Sequence, residues 1–157
     1  MMRHLAMVLR KVPWTVSLAR GVWRLRQPKF SAGVVGVIFN AQGQVLLVEH
    51  VFHPYAPWGL PGGWVDRNEG PAETIQRELH EELHLTASVG PILMAEVGYG
   101  NHLDLAYLCY ADGPIGELSS ELLACDWYDV GRLPKLQPFH HRAIGQALNV
   151  LENHTKL

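Results

Sequence analysis

The sequence predicts an α+β, or layered α/β, domain, and three observations predict it. Short β-branched apolar runs recur along most of the chain. Two segments instead carry apolar residues at helical spacing, one in the middle of the sequence and one at its end. The chain has 157 residues, 48% of them apolar and 18% charged, which is the size and balance of one globular domain with a substantial core.

Residues 1–29 form a basic arm. Trp14, Leu18, Val22 and Leu25 recur at helical spacing, with Arg20 and Arg24 on another face, so a basic amphipathic helix is expected, or two helices divided at Pro13. Such a face suits packing on its own domain, a homodimer contact, or an anionic membrane surface, with protein packing preferred over peripheral membrane contact. Seven basic residues and no acid precede Glu49; from Glu49 onward fifteen acids face six basic residues, net −9. That acidic body suits a cation site, and the formal net charge of −2 over the whole chain suggests no polyanion partner. We divide the chain into this arm and a domain over 30–157.

Ala32 to Phe39 is a predicted strand, Asn40-Ala41-Gln42-Gly43 a turn, and Val45 to Val48 the return strand. Val51 to Trp58, with His53, Pro54, Tyr55 and Pro57, is expected to be a loop whose aromatics Tyr55 and Trp58 border a ligand or seal a core edge. Gly62-Gly63 reads as a glycine turn. Pro71 suits a first helical turn, and Ala72, Ile75, Leu79 and Leu83 supply a core-facing stripe. Ile92 to Tyr99 and Leu103 to Ala111 read as strands about a Gly100-Asn101 turn, Leu122 to Val130 as another, and Pro138 to Leu151 as the closing helix.

Glu78, Glu81 and Glu82 share one face of the central helix. Carboxylates this close repel and hold protons unless a cation neutralises them, and Mg²⁺ takes such oxygen ligands while keeping positions for water and phosphate. A solvated acidic face is the plainer reading of Glu-x-x-Glu-Glu alone. The surroundings add to it. Gly63, Glu69, Arg77-Glu78-Leu79, Glu81-Glu82 and Leu85 resemble the Nudix box, with His84 in place of its last glycine, and Trp58-Gly59-Leu60-Pro61-Gly62 is similar to the lead-in. The resemblance covers roughly residues 29–151.

The resemblance implies a mixed sheet between helices, and water attack on phosphorus in the diphosphate linkage of a small nucleotide derivative. It implies Mg²⁺, or Mn²⁺, held by Glu78, Glu81 and Glu82 with a carbonyl of Gly62 or Gly63, and a Glu69–Arg77 pair fastening the box. The proton acceptor differs among members; Glu121 is the candidate on a later loop, Glu117 the second, and Glu81 the candidate on the helix. His102 and Asp104, polar residues at the start of an apolar strand, are candidate substrate contacts. The alternative is a nucleotide-binding module without hydrolysis. A proline that marks ADP-ribose hydrolases about sixteen residues past the box is replaced here by Asn101, so that substrate is not supported.

Other classes find no support. There is no nucleophile elbow, zinc cluster, P-loop or dinucleotide glycine motif, and the basic arm lacks aromatics spaced for base stacking. Cys109 and Cys125 lie in apolar runs without CxxC spacing, which suits a reducing cytoplasm. No apolar run reaches the roughly 18 residues of a membrane span, and Lys11 and Pro13 interrupt any signal-peptide pattern.

Overall fold

The computed structural model describes residues 13–52 and 55–155. The part of the arm before Pro13 and the His53-Pro54 pair of the expected loop lie outside the described residues. The chain divides into two compact units that meet at Phe30/Ser31. In the first, α1 (Pro13–Arg26) is a helix whose Trp14, Leu18, Val22, Trp23 and Leu25 are all exposed.

The second unit carries β1 (Ser31–Ile38), β2 (Val45–His50), β3 (Trp58–Gly59), β4 (Gly62–Trp64), α2 (Pro71–Leu83), β5 (Ala87–Val97), β6 (His102–Ala111), β7 (Leu122–Tyr128) and α3 (Pro138–Thr155). A mixed sheet has the order β4-β1-β6-β5, with β1 and β6 parallel and its other pairs antiparallel. A second, antiparallel sheet has the order β3-β2-β7.

Strand alternation builds two cores, one on each face. Val34 and Ile38 of β1, Leu46 and Val48 of β2, and Leu105 and Cys109 of β6 pack with Ile75, Leu79 and Leu83 of α2. Their neighbours Val37, Val45, Leu47, Ala106 and Leu108 point the other way and pack with Phe139, Ala143, Ile144 and Ala147 of α3. This is the expected layering of strands between helices, with the strands divided between two sheets. Each large aliphatic side chain so buried stabilises the fold by about 1.5–3 kcal/mol.

Three local expectations are corrected. Gly62-Gly63 is part of strand β4 rather than a turn: Val34 and Val35 of β1 pair with it, and at Gly62 (φ 149°) a β-carbon would lie 2.1 Å from the Val34 carbonyl oxygen. Tertiary pairing thus imposes extended structure on glycines that carry no local strand signal. Strand β5 begins at Ala87 rather than Ile92, because irregular register between Val89 and Ile92 absorbs Pro91. Strand β2 runs on to His50, beyond the apolar run that marks it, through pairing with β3 and β7.

Candidate active site

Helix α2 begins at Pro71, where the missing N–H is no loss. Glu73 accepts the Gly70 N–H at 2.9 Å, and so serves the helix start. Arg77 is the hub of the helix's polar face. Its guanidinium takes Glu69 in a two-pronged pair, Nε to Oε1 at 2.9 Å and Nη2 to Oε2 at 3.1 Å. Its Nη1 also donates to Glu78 at 2.8 Å and Glu81 at 3.0 Å, and Nη2 to the Trp64 carbonyl at 3.3 Å. One side chain therefore ties the loop before α2, strand β4 and two of the three clustered carboxylates together. The Arg77 pair, helped by the Thr74 hydroxyl, lowers the Glu69 carboxyl to about 2.

Glu82 differs from its neighbours. It is 5% exposed, among the buried core, and the Gly62 N–H donates to it at 3.1 Å. Burial pushes its carboxyl up to about 8, with the charges of Glu78, Glu121 and Glu81 adding to the effect. Burial likewise raises Glu78, against the pull of Arg77. At Gly63 a β-carbon would meet the Glu78 carboxylate at 2.3 Å, so a side chain there would displace that carboxylate from its present place.

A cavity of about 360 Å³ is lined by Gly62, Gly63, Trp64, Arg77, Glu78, Glu82 and Glu121, with His50, Phe52 and Asp66. Glu81, its carboxylate more than half exposed, lies on an adjoining depression with Ser119, Ser120 and Glu121. Among the described residues no three His, Cys, Asp or Glu side chains are gathered so that they could hold a metal ion as they stand; Arg77 bonds both Glu78 and Glu81. In chemistry the donors do fit a hard divalent cation: they are carboxylate oxygens, and burial raises two of them, Glu82 and, against the pull of Arg77, Glu78.

A second cavity, of about 300 Å³, includes Trp58, His102, Asp104, Gln137, Phe139 and His140 in its lining. His50, Gly62, Gly63 and Trp64 border both cavities. His102 is held by Ser31 Oγ at 2.8 Å and by Asp104 at 3.4 Å, under the Trp64 ring at 4.6 Å. Burial raises the Asp104 carboxyl. The Leu60 N–H donates to Nδ1 of His140 at 3.0 Å, which fastens α3 to the segment between β3 and β4. Trp58 stands edge-on to Tyr128 with centroids 5.1 Å apart.

The structure thus gathers Gly62, Gly63, Glu78, Glu82, Arg77 and Glu121 at one cavity and Trp58, His102 and Asp104 at the next. Tyr55, 90% exposed, lines neither. His50, Asp66, Gln137, Phe139 and His140 went unnoticed in the sequence. Phe139 and His140 read there only as the start of a helix, and no local spacing marks them as cavity walls.

The profile of the NUDIX domain family matches residues 29–148. The chain belongs to that family. Its relatives include the RNA pyrophosphohydrolase of Psychrobacter cryohalolentis, 41% identical over 56 residues, which are 36% of this chain and 31% of that protein. Another is the NAD-capped RNA hydrolase NudC of Photorhabdus laumondii, 26% identical over 117 residues, 73% of this chain and 44% of that one. The matches therefore span less than half the length of either relative. Among solved structures, the MutT NUDIX hydrolase of Burkholderia pseudomallei superposes with a TM-score of 0.63 at 26% identity, covering 76% of this chain and 98% of that one. No helix of the described residues is long and apolar enough to cross a membrane.

Proposed function

We propose that this NUDIX protein hydrolyses a diphosphate linkage in a nucleotide derivative, with Mg²⁺ or Mn²⁺ held by Glu78, Glu81 and Glu82. The observation that carries the proposal is the buried Glu82 carboxyl, pushed up to about 8 beside Glu78 and Glu121 in one cavity. A buried carboxyl with its neighbours' charge against it is costly to the fold and makes sense where a cation is bound. When bound, the cation neutralises the diphosphate and acidifies water.

The chain's own residues divide the remaining work. Glu121 accepts the proton of the attacking water at the cavity rim. Arg77 holds Glu69, Glu78 and Glu81 in place. Gly62 and Gly63 keep the cavity floor free of side chains, so a phosphate reaches the backbone. The second cavity, with Trp58, Trp64 and Phe139 beside Asp104 and His102, suits a nucleobase and ribose: flat apolar faces with polar groups at the edge. The free thiols of Cys109, which burial pushes up to about 12, and Cys125 suit a reducing cytoplasm.

The test is product release from a panel of nucleoside diphosphate derivatives, sugar nucleotides, dinucleoside polyphosphates, oxidised nucleoside triphosphates, and capped and uncapped RNA, with Mg²⁺, Mn²⁺ or chelator. The RNAs belong in it because both relatives are named for RNA hydrolysis. Release with either cation and none with chelator is expected. Nucleotide binding without release from any compound would instead make the chain a binding module.

We also propose that α1 is an assembly element: its exposed Trp14, Leu18, Trp23 and Leu25 suit burial against a second copy. Deleting residues 1–28 is expected to leave hydrolysis measurable but to alter the number of chains per particle seen by light scattering, or the solubility. Unchanged mass and stability would remove the assembly role. Pelleting of the intact chain with anionic liposomes would reassign α1 to a membrane surface.

A further inference from the structure

His84 ends α2 in the left-handed conformation, φ 46° and ψ 35°. Glycine or asparagine is the usual residue there, because a side chain strains that backbone. The backbone cap itself needs no imidazole: the His84 N–H donates to His80 at 2.9 Å and the Leu85 N–H to Leu79 at 3.2 Å. A glycine would make both bonds.

The side chain makes a different contact. Nδ1 of His84 lies 2.7 Å from the carbonyl oxygen of Glu117. A carbonyl only accepts, so Nδ1 carries the hydrogen. On either side of Glu117 the same loop is bonded to the last turn of α2, the Gly116 N–H to Leu83 at 2.8 Å and the Ser119 N–H to Glu82 at 2.9 Å. The Gly116 backbone rests against the His84 side chain, where a β-carbon at 116 would come within 2.6 Å of the His84 β-carbon. Beyond it, Ser119 Oγ accepts the Glu121 N–H at 3.4 Å, and the Glu121 carbonyl accepts the Val51 N–H at 3.0 Å. Glu121 thereby reaches the cavity of Glu78 and Glu82.

We propose that His84 is a positioning residue: its imidazole clamps residues 116–119 onto the end of α2 and so sets Glu121 against Glu78 and Glu82. The proposal rests on the reading of Glu121 as proton acceptor. It explains why a strained histidine occupies a place that glycine would fill without strain.

Two substitutions separate the clamp from the cap. His84→Gly keeps the left-handed backbone and removes the ring. His84→Asn tolerates that backbone, and its amide nitrogen stands as many bonds from Cα as Nδ1 does, which restores the donor. In His84→Gly, kcat is expected to fall at least about tenfold with KM within about twofold and the melting temperature retained. The Gly116 and Ser119 amides should exchange with deuterium faster. His84→Asn should recover most of both. Placed on Glu121→Gln, His84→Gly should cost nothing further, since residues acting as one unit are not additive. Wild-type kcat in His84→Gly, or a loss that multiplies with that of Glu121→Gln, would overturn the proposal. Exchange needs no substrate: unchanged exchange in His84→Gly overturns the clamp whatever Glu121 does, so its failure is distinguishable from failure of the base assignment.

Discussion

Glu82→Gln is expected to lower turnover at least about a hundredfold, on the order of 3 kcal/mol in the barrier, while stabilising the cation-free protein at pH 8. Both effects come from one carboxyl. Its folded value near 8 lies above the 4.5 of an unperturbed glutamate, and burial is the main cause. Between those values the folded state holds a proton that the unfolded state has released. The stability present below pH 4.5 is therefore lost progressively as pH rises through 8. At about 1.4 kcal/mol per pH unit of displacement the loss is on the order of a few kcal/mol. Glutamine stays neutral and keeps the shape, so the variant's melting temperature should be nearly flat over that window where the wild type's declines. Saturating Mg²⁺ should restore the wild type at pH 8 and raise Glu82→Gln less. Glu81→Gln should cost turnover to the same extent without the gain in stability, because that carboxylate is more than half exposed. Near-wild-type turnover in both variants would remove the cation-site assignment.

Glu121→Gln is expected to lower kcat by at least about a hundredfold, within the range of roughly 10²–10⁴ typical of a general base, with cation affinity near normal. Glu121 lines the cavity with Glu78 and Glu82, and its charge is among those that raise both. Its substitute would be Glu117, but Glu117 lies four residues before Glu121, its carbonyl is held by His84, and it lines neither cavity. A carboxylate base must be ionised, so the acidic limb of the kcat–pH profile should shift or vanish in the variant. If more than about a third of kcat remains with that limb unaltered, Glu121 is a loop acid and the role passes to Glu81.

The central helix was legible because two periodicities coincide in it, an apolar stripe for the core and acids at one-turn spacing for the site. The strands of both cores were legible for a similar reason, since Val34, Val37 and Ile38 alternate as a sheet buried on both faces requires. What stayed hidden depends on partners distant in sequence. Strands β3 and β4 are two and three residues long and glycine-rich, and exist because β1 and β2 pair with them. Phe139 and His140 reach the second cavity from the far end of the chain, where the Leu60 N–H donates to His140. His84 was visible as a departure from the box, but its acceptor lies thirty-three residues on.

The most direct measurement is a Mn²⁺ titration of the cation-free protein followed by electron paramagnetic resonance, on the wild type and Glu82→Gln in parallel at pH 8. Saturable binding that Mg²⁺ displaces, weakened at least about tenfold in the variant, is the predicted result. No saturable binding in the wild type, or equal binding in the two proteins, would contradict the account.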